Sequence, residues 1–302
     1  MHIDPYIVLG GAIIGLLVGM TGAGGGALMT PMLILLFAVK PSSAISSDLV
    51  ASVVMRPVGA AVHGRAGTVN FNLVKWLAVG SVPAAFAGAY LLHVIGGTTG
   101  DEKTIETYLG IALLIGALAM VVRFILDRRS KAGRTQYVAN VEVRPLPTLA
   151  LGIIGGLVVG LTSVGSGSLM IIGLLFIYPL LGANQLVGTD LTQAVPLTAA
   201  AAVGSLIFGH VEFSVTGSLI LGSIPAVIIG SLVSSSVPDR YVRPVITFVI
   251  LASGLKYVGL GTTALGWALV VILLAAAATW LVLSRSGDVA AAVEPAAVEP
   301  SG

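Results

Sequence analysis

From Tyr6 to Val39 the chain runs 34 residues without a charged side chain, and near the middle of that run lies Thr21-Gly22-Ala23-Gly24-Gly25-Gly26. As one helix the run would extend about 50 Å, well past a hydrocarbon core roughly 30 Å thick, whereas two full crossings would need about 40 residues. Three consecutive glycines break a helix, because each costs about 1 kcal/mol relative to alanine and admits positive φ. The expected shape is therefore two half-helices joined at membrane depth. A bilayer tolerates such backbone only where protein or a water-filled cavity satisfies its polar groups, so the break should point inward.

Further apolar segments follow near 44–63, 72–95, 104–126, 148–182, 187–208, 214–236, 242–260 and 264–284. With 56% hydrophobic and 9% charged residues and a mean hydropathy of +1.04, a water-soluble fold is excluded. The segments are continuously apolar and too long for the alternating strands of a membrane barrel. The expected class is an all-α polytopic membrane protein. Cysteine is absent, which removes disulfide and thiolate chemistry. His2, His63, His93 and His210 show no metal-ligand spacing, and no nucleophile stands beside a base. Neither enzyme activity, nor a metal, nor a cofactor, nor a nucleic-acid partner is expected. The opening Met1-His2-Ile3-Asp4-Pro5 lacks the basic start of a signal peptide, so the first apolar segment is expected to be retained.

The chain repeats itself. At an offset of 141, residues 11–29 match residues 152–170 at eleven of nineteen positions, including Gly15/Gly156, Gly19/Gly160, Thr21/Thr162, Gly24/Gly165, Gly26/Gly167 and Met29/Met170. At an offset of 142 the match continues through Asp48/Asp190, Gly67/Gly209, Phe71/Phe213, Pro83/Pro225 and Gly88/Gly230. The organisation that follows is a first membrane repeat at 1–126, a basic cytoplasmic linker at 127–147, a second repeat at 148–260, an extra transmembrane helix at 261–285 and a disordered tail at 286–302. In that tail Ala-Ala-Val-Glu-Pro occurs twice.

Basic residues choose the topology. If each broken segment turns back as a re-entrant hairpin, a repeat has three crossings and the two repeats are inverted. With the linker in the cytoplasm, and Arg56 set aside because it lies within a segment, eleven basic residues then fall inside. They are Arg65, Lys75, Arg123, Arg128, Arg129, Lys131, Arg134, Arg144, Arg240, Arg243 and Arg285, against three outside, Lys40, Lys103 and Lys256. Four crossings per repeat give the weaker ratio of nine to five. The expectation is two inverted repeats, each a broken re-entrant hairpin plus three transmembrane helices, with one extra C-terminal transmembrane helix, N-terminus out and C-terminus in.

A half-helix starting at Gly26 presents free N–H groups and a positive dipole end, which favours an anion. The second break reads Thr162-Ser163-Val164-Gly165-Ser166-Gly167-Ser168. Paired breaks in the two halves of a transporter mark its substrate site. The candidate substrate-binding residues are Thr21, Gly22, Gly24, Gly25, Gly26, Thr162, Ser163, Gly165, Ser166, Gly167 and Ser168. Gly11, Gly15 and Gly19, spaced by four, fit close helix packing instead. Asp48, Ser52 and Arg56 share one helix face, and Asp190, Ala194 and Thr198 correspond to them, with Gln193 alongside. Charge inside a membrane segment marks function. Arg56 has two readings, a seat for an anion or an ion pair with Asp48. Asp48 and Asp190 also have two, proton coupling or capping of a helix N-terminus. Gln193 joins the candidate seat.

Gly19-Met20-Thr21-Gly22-Ala23-Gly24-Gly25-Gly26, then Leu28-Met29-Thr30-Pro31, with a second copy after a basic linker, resembles the sulfite exporter TauE/SafE family over nearly the whole chain apart from the tail. The resemblance implies a transporter of the bacterial inner membrane that exports sulfite, a sulfonate or a related sulfur-containing or carboxylate anion. In the second copy Ser163, Ser166 and Ser168 replace Gly22, Gly25 and Ala27, and Ile172 replaces Pro31, so the two seats need not be equal. The partners expected are the small anion, lipid and protons as coupling ion. An uncoupled anion channel and a membrane-embedded enzyme or assembly partner stand as alternatives. A reporter fused near Asp239 should read cytoplasmic, and an extracytoplasmic reading would defeat the inverted topology.

Overall fold

The computed structural model describes residues 3–21, 25–65, 67–98, 101–129, 141–233, 239–261 and 263–272. Gly22 and Gly24 of the first break, the linker centre 130–140, residues 273–285 of the expected extra crossing and the tail lie outside the described residues. Among the described residues every regular element is helical. The first repeat supplies α1 (Pro5–Thr21), α2 (Gly26–Phe37), α3 (Pro41–Arg65), α4 (Phe71–His93) and α5 (Glu102–Arg129), with a short π-helical stretch, Val94–Thr98, extending α4. The second supplies α6 (Pro145–Thr162), α7 (Leu169–Ile177), α8 (Ala183–Phe208), α9 (Phe213–Val233) and α10 (Asp239–Tyr257). Residues 1–258 and 259–302 form separate compact units, and the described helix of the second unit is Thr263–Ile272.

Among the described residues five stretches are long and apolar enough to cross a bilayer: Phe71–Gly96, Glu102–Val122, Pro145–Thr162, Gln185–Phe208 and Phe213–Gly230. Their surroundings invert the pattern of a soluble protein. Large apolar side chains such as Leu9, Ile13, Leu118, Ile154 and Leu221 face outward, while serines, threonines, Asp48, Asp190, Gln193 and Arg56 are buried. In water the exposed apolar surface would be unfavourable by about 25 cal/mol per Å², whereas against lipid tails it carries no such cost.

The helices interleave the repeats. α1 packs on α9, and in the corresponding exchange α6 packs on α4. α3 and α8 pack on each other, as do α5 and α10, and each half-helix leans on the long helix that follows it, α2 on α3 and α7 on α8. Small residues make the two main contacts possible, since without hydrophobic drive between helices in lipid the association depends on close backbone approach. A Cβ at Gly15 of α1 would stand 2.7 Å from the Ser223 carbonyl oxygen of α9, and one at Gly11 would stand 3.3 Å from the Leu219 carbonyl oxygen. Gly152, Gly156 and Gly160 of α6 meet Leu77, Ser81 and Ala85 of α4 in the same manner. The duplicated glycine stripe thus places each repeat's first helix against the other repeat's fourth.

Polar ties also join the long helices. Glu102 at the start of α5 accepts hydrogen bonds from the backbone N–H (3.0 Å) and hydroxyl (2.6 Å) of Ser42, at the start of α3. Ser47 in α3 accepts from the backbone N–H of Glu212, just before α9 (3.1 Å).

Gly160→Val should destabilise the fold by about 1–3 kcal/mol or more, because the added carbons overlap the Ala85 carbonyl. Gly217→Ala, with nothing within 4 Å of the new carbon, should leave the melting temperature in detergent unchanged or raised. Equal melting temperatures for the two variants would contradict the close-packed interface.

Candidate functional site

The second break is built by backbone that only a few residues accept. α6 ends where Ser163 turns left-handed at φ 58°, its N–H still bonded to the Val159 carbonyl at 2.7 Å. Gly165 and Gly167 follow at φ 117° and 97°, where a side chain would be strained. The Thr162 hydroxyl closes the end locally, donating to the Val158 carbonyl at 2.7 Å and accepting from the Val164 N–H at 3.2 Å. The chain then restarts as α7 behind Ser168, with Leu169 and Met170 N–H bonded to the Gly165 carbonyl. In the first break, Gly25 stands before α2 and its carbonyl accepts from Leu28 and Met29. Neither half-helix is capped by a side chain.

The two breaks touch. A Cβ at Gly26 would overlap the carbonyl oxygen of Ser163 and lie 2.7 Å from its hydroxyl, so the first turn of α2 can rest on the second break only because residue 26 is glycine. α3 runs past this junction with Asp48, Ser52 and Arg56 on one buried face. Asp48 Oδ2 accepts from the Thr30 hydroxyl of α2 at 2.9 Å and from the Ser163 hydroxyl at 2.7 Å. One carboxylate oxygen therefore joins the half-helix of one repeat to the break of the other. Asp48 lies in the second turn of α3, and these bonds come from side chains instead of the backbone N–H groups that a cap engages.

Two turns further along α3, Arg56 is 7% exposed and donates through Nη1 to the Ser166 hydroxyl. Its Nε and Nη2 have no hydrogen-bond partner, nor has Asp48 Oδ1. Buried charged donors left unmade cost more than neutral ones, and such groups in a native interior call for a ligand, water or ion. The opposite side is closed differently. Gln193 donates to Asp190 Oδ1 at 3.3 Å and accepts from the Ser81 hydroxyl of α4 at 3.1 Å. Thr198, at the position that corresponds to Arg56, spends its hydroxyl on the Ala194 carbonyl of its own helix at 2.7 Å. Both Asp48 and Asp190 lie within electrostatic reach of the guanidinium.

Of the residues singled out in sequence, Gly25, Gly26, Ser163, Ser166, Asp48 and Arg56 meet around the junction, and Asp190 and Gln193 lie on α8, which packs against α3. Ser168 stands at the start of α7, its hydroxyl 3.2 Å from where a Cβ of Gly116 would be. Thr21 ends α1, while Gly22 and Gly24 lie outside the described residues. Thr30 and Ser81 were not foreseen. Thr30 was legible as a hydroxyl in an otherwise apolar half-helix, whereas nothing local distinguishes Ser81 from a helix-packing serine.

Comparison with known proteins shows the family. The family described as "Sulfite exporter TauE/SafE" matches residues 7–257. The probable membrane transporter protein YjnA of Bacillus subtilis (strain 168) is 40% identical over 253 residues, which cover 83% of this chain and 98% of that protein. The probable membrane transporter protein YdhB of the same organism is 28% identical over 209 residues, 68% of this chain and 80% of that one. A probable membrane transporter protein of Xylella fastidiosa (strain Temecula1 / ATCC 700964) is 28% identical over 180 residues, covering 58% and 65%. No solved structure matches the chain at a significant level.

Gly26→Ala should push α2 off the second break and lower transport at least tenfold in reconstituted vesicles, while Gly64→Ala, which meets nothing within 4 Å, should not. Wild-type transport by Gly26→Ala would show that the contact between the breaks is dispensable.

Proposed function

We propose, on the premise that this chain belongs to the sulfite exporter TauE/SafE family of membrane transporters, that it is a secondary carrier exporting a small oxyanion such as sulfite, an organosulfonate or a carboxylate. The observation that carries the reading is Arg56, buried at the junction of the breaks with Nε and Nη2 unpartnered. Those two groups form one edge of the guanidinium and donate in parallel, which suits a group with two oxygens side by side better than a spherical ion. The starts of α2 and α7 add positive dipole ends without a side-chain cap. Ser166 positions the guanidinium, and Gly26 lets the start of α2 rest against Ser163.

The topology proposed is the inverted one. α2 and α7, of 12 and 9 residues, are about 18 and 14 Å long and fall short of a 30 Å core. In that topology α3, α4 and α5, and then α8, α9 and α10, are the three crossings of each repeat, and α6, itself long and apolar enough to cross, is the long arm of its hairpin. The exchange of packing partners between α1 and α9 and between α6 and α4 suits two halves that rock about the junction. Asp48 and Asp190 are the residues proposed to take up coupling protons, being the carboxylates buried beside the site. The protein is placed in the inner membrane of a bacterium, N-terminus out.

Reconstituted protein should move sulfite, ethanesulfonate or acetate, with flux following an imposed proton gradient. Arg56→Gln should lower that flux at least tenfold, about 1.4 kcal/mol of lost binding or more, with the melting profile retained. Undiminished flux in a folded Arg56→Gln protein would overturn the seat, and flux indifferent to the proton gradient would mark a channel.

A further inference from the structure

Resting on that reading, the unpartnered atoms at the junction bear on the ligand beyond its oxyanion end. The buried junction holds two kinds of unmet group, the donors Nε and Nη2 of Arg56 and the acceptor Oδ1 of Asp48. Asp48 and Arg56 lie within electrostatic reach of each other. The other oxygen of Asp48 is held by Ser163, and the other terminal nitrogen of Arg56 by Ser166, so both side chains are anchored to hydroxyls three residues apart in the second break. Along α3 the two residues are separated by about 12 Å of axial rise, and helical side chains tilt toward the N-terminus, which brings the long Arg56 side chain back toward Asp48.

A plain oxyanion satisfies the guanidinium edge and leaves Asp48 Oδ1 orphaned. It also adds a negative charge where two buried carboxylates, Asp48 and Asp190, already face one guanidinium. Thr198 in place of a second arginine means the second repeat contributes no balancing cation at the equivalent position. A ligand that carries a cationic hydrogen-bond donor at its other end meets both demands at once. The unpaired acceptor gains its partner, and the net charge of the site is unchanged on binding.

We propose that the site is built for a zwitterion, an oxyanion joined by a short linker to an ammonium group, with the oxyanion on the Arg56 edge and the ammonium on Asp48 Oδ1, so that Asp48 is a specificity-determining residue. The bonds of Thr30 and Ser163 to Oδ2 hold the carboxylate with its other oxygen turned to the ligand. Shape selection falls to the starts of α2 and α7 on either side.

Three probes that differ only at one end, ethanesulfonate, 2-hydroxyethanesulfonate and 2-aminoethanesulfonate, separate the possibilities when titrated into the purified full-length protein by calorimetry across a range of pH. The aminated probe should bind at least tenfold tighter than ethanesulfonate, with the hydroxylated one between. Asp48→Asn should weaken binding of the aminated probe at least tenfold more than that of ethanesulfonate, and Arg56→Gln should abolish binding of all three. Equal affinity for the three probes in the wild type would overturn the zwitterion inference and leave the oxyanion seat standing. Binding that survives intact in Arg56→Gln would remove the seat itself, and the inference with it.

Discussion

A backbone that stops being helical inside a membrane must find partners in protein, because hydrocarbon offers none. In this chain α2 begins at Gly26 and α7 follows the break at Ser163–Ser168, and the contact between Gly26 and Ser163 sets one break on the other. The rest of the architecture holds that contact in place. Glycine stripes clamp α1 to α9 and α6 to α4, so the helix leading into each break is tied to the opposite repeat. Asp48 then links the half-helix α2 to the second break through two hydroxyls. Because the breaks are shared between repeats, the site cannot belong to either half alone.

Duplication supplied a near-symmetric frame, and substitution made it unequal. Asp48 and Asp190 correspond, yet the first repeat carries Arg56 where the second has Thr198, and the second carries Gln193 where the first has Ala51. The consequence is one side with a hydrogen-bonded network, Ser81 to Gln193 to Asp190, and one side with unmet donors and an unmet acceptor. Serines at 163 and 166, absent from the first break, orient the charged pair of the first repeat. Each repeat completes the other's chemistry.

Much of this was legible before any coordinates. Charge-free length and triple glycine located the first break, and the offset of 141 located the second, since both follow from the rise per residue and the steric cost of Cβ. The spacing of Asp48, Ser52 and Arg56 gave their common face. What the sequence left open was direction across space. Asp48 read equally well as a helix cap, because the true start of α3 at Pro41 precedes the apolar segment by several serines, and those serines turned out to be buried against other helices. Thr30 and Ser81 gain their meaning only from partners 18 and 112 residues away, a separation no local pattern carries.

The account stands on Arg56 and the two breaks forming one ligand seat, and a structure of the full chain in lipid, determined with 2-aminoethanesulfonate, tests it most directly. Ligand density bridging Arg56 Nε and Nη2 to Asp48 Oδ1, between the starts of α2 and α7, is the predicted result. Density elsewhere, with the free edge of Arg56 closed by one of the chain's own carboxylates, would contradict it.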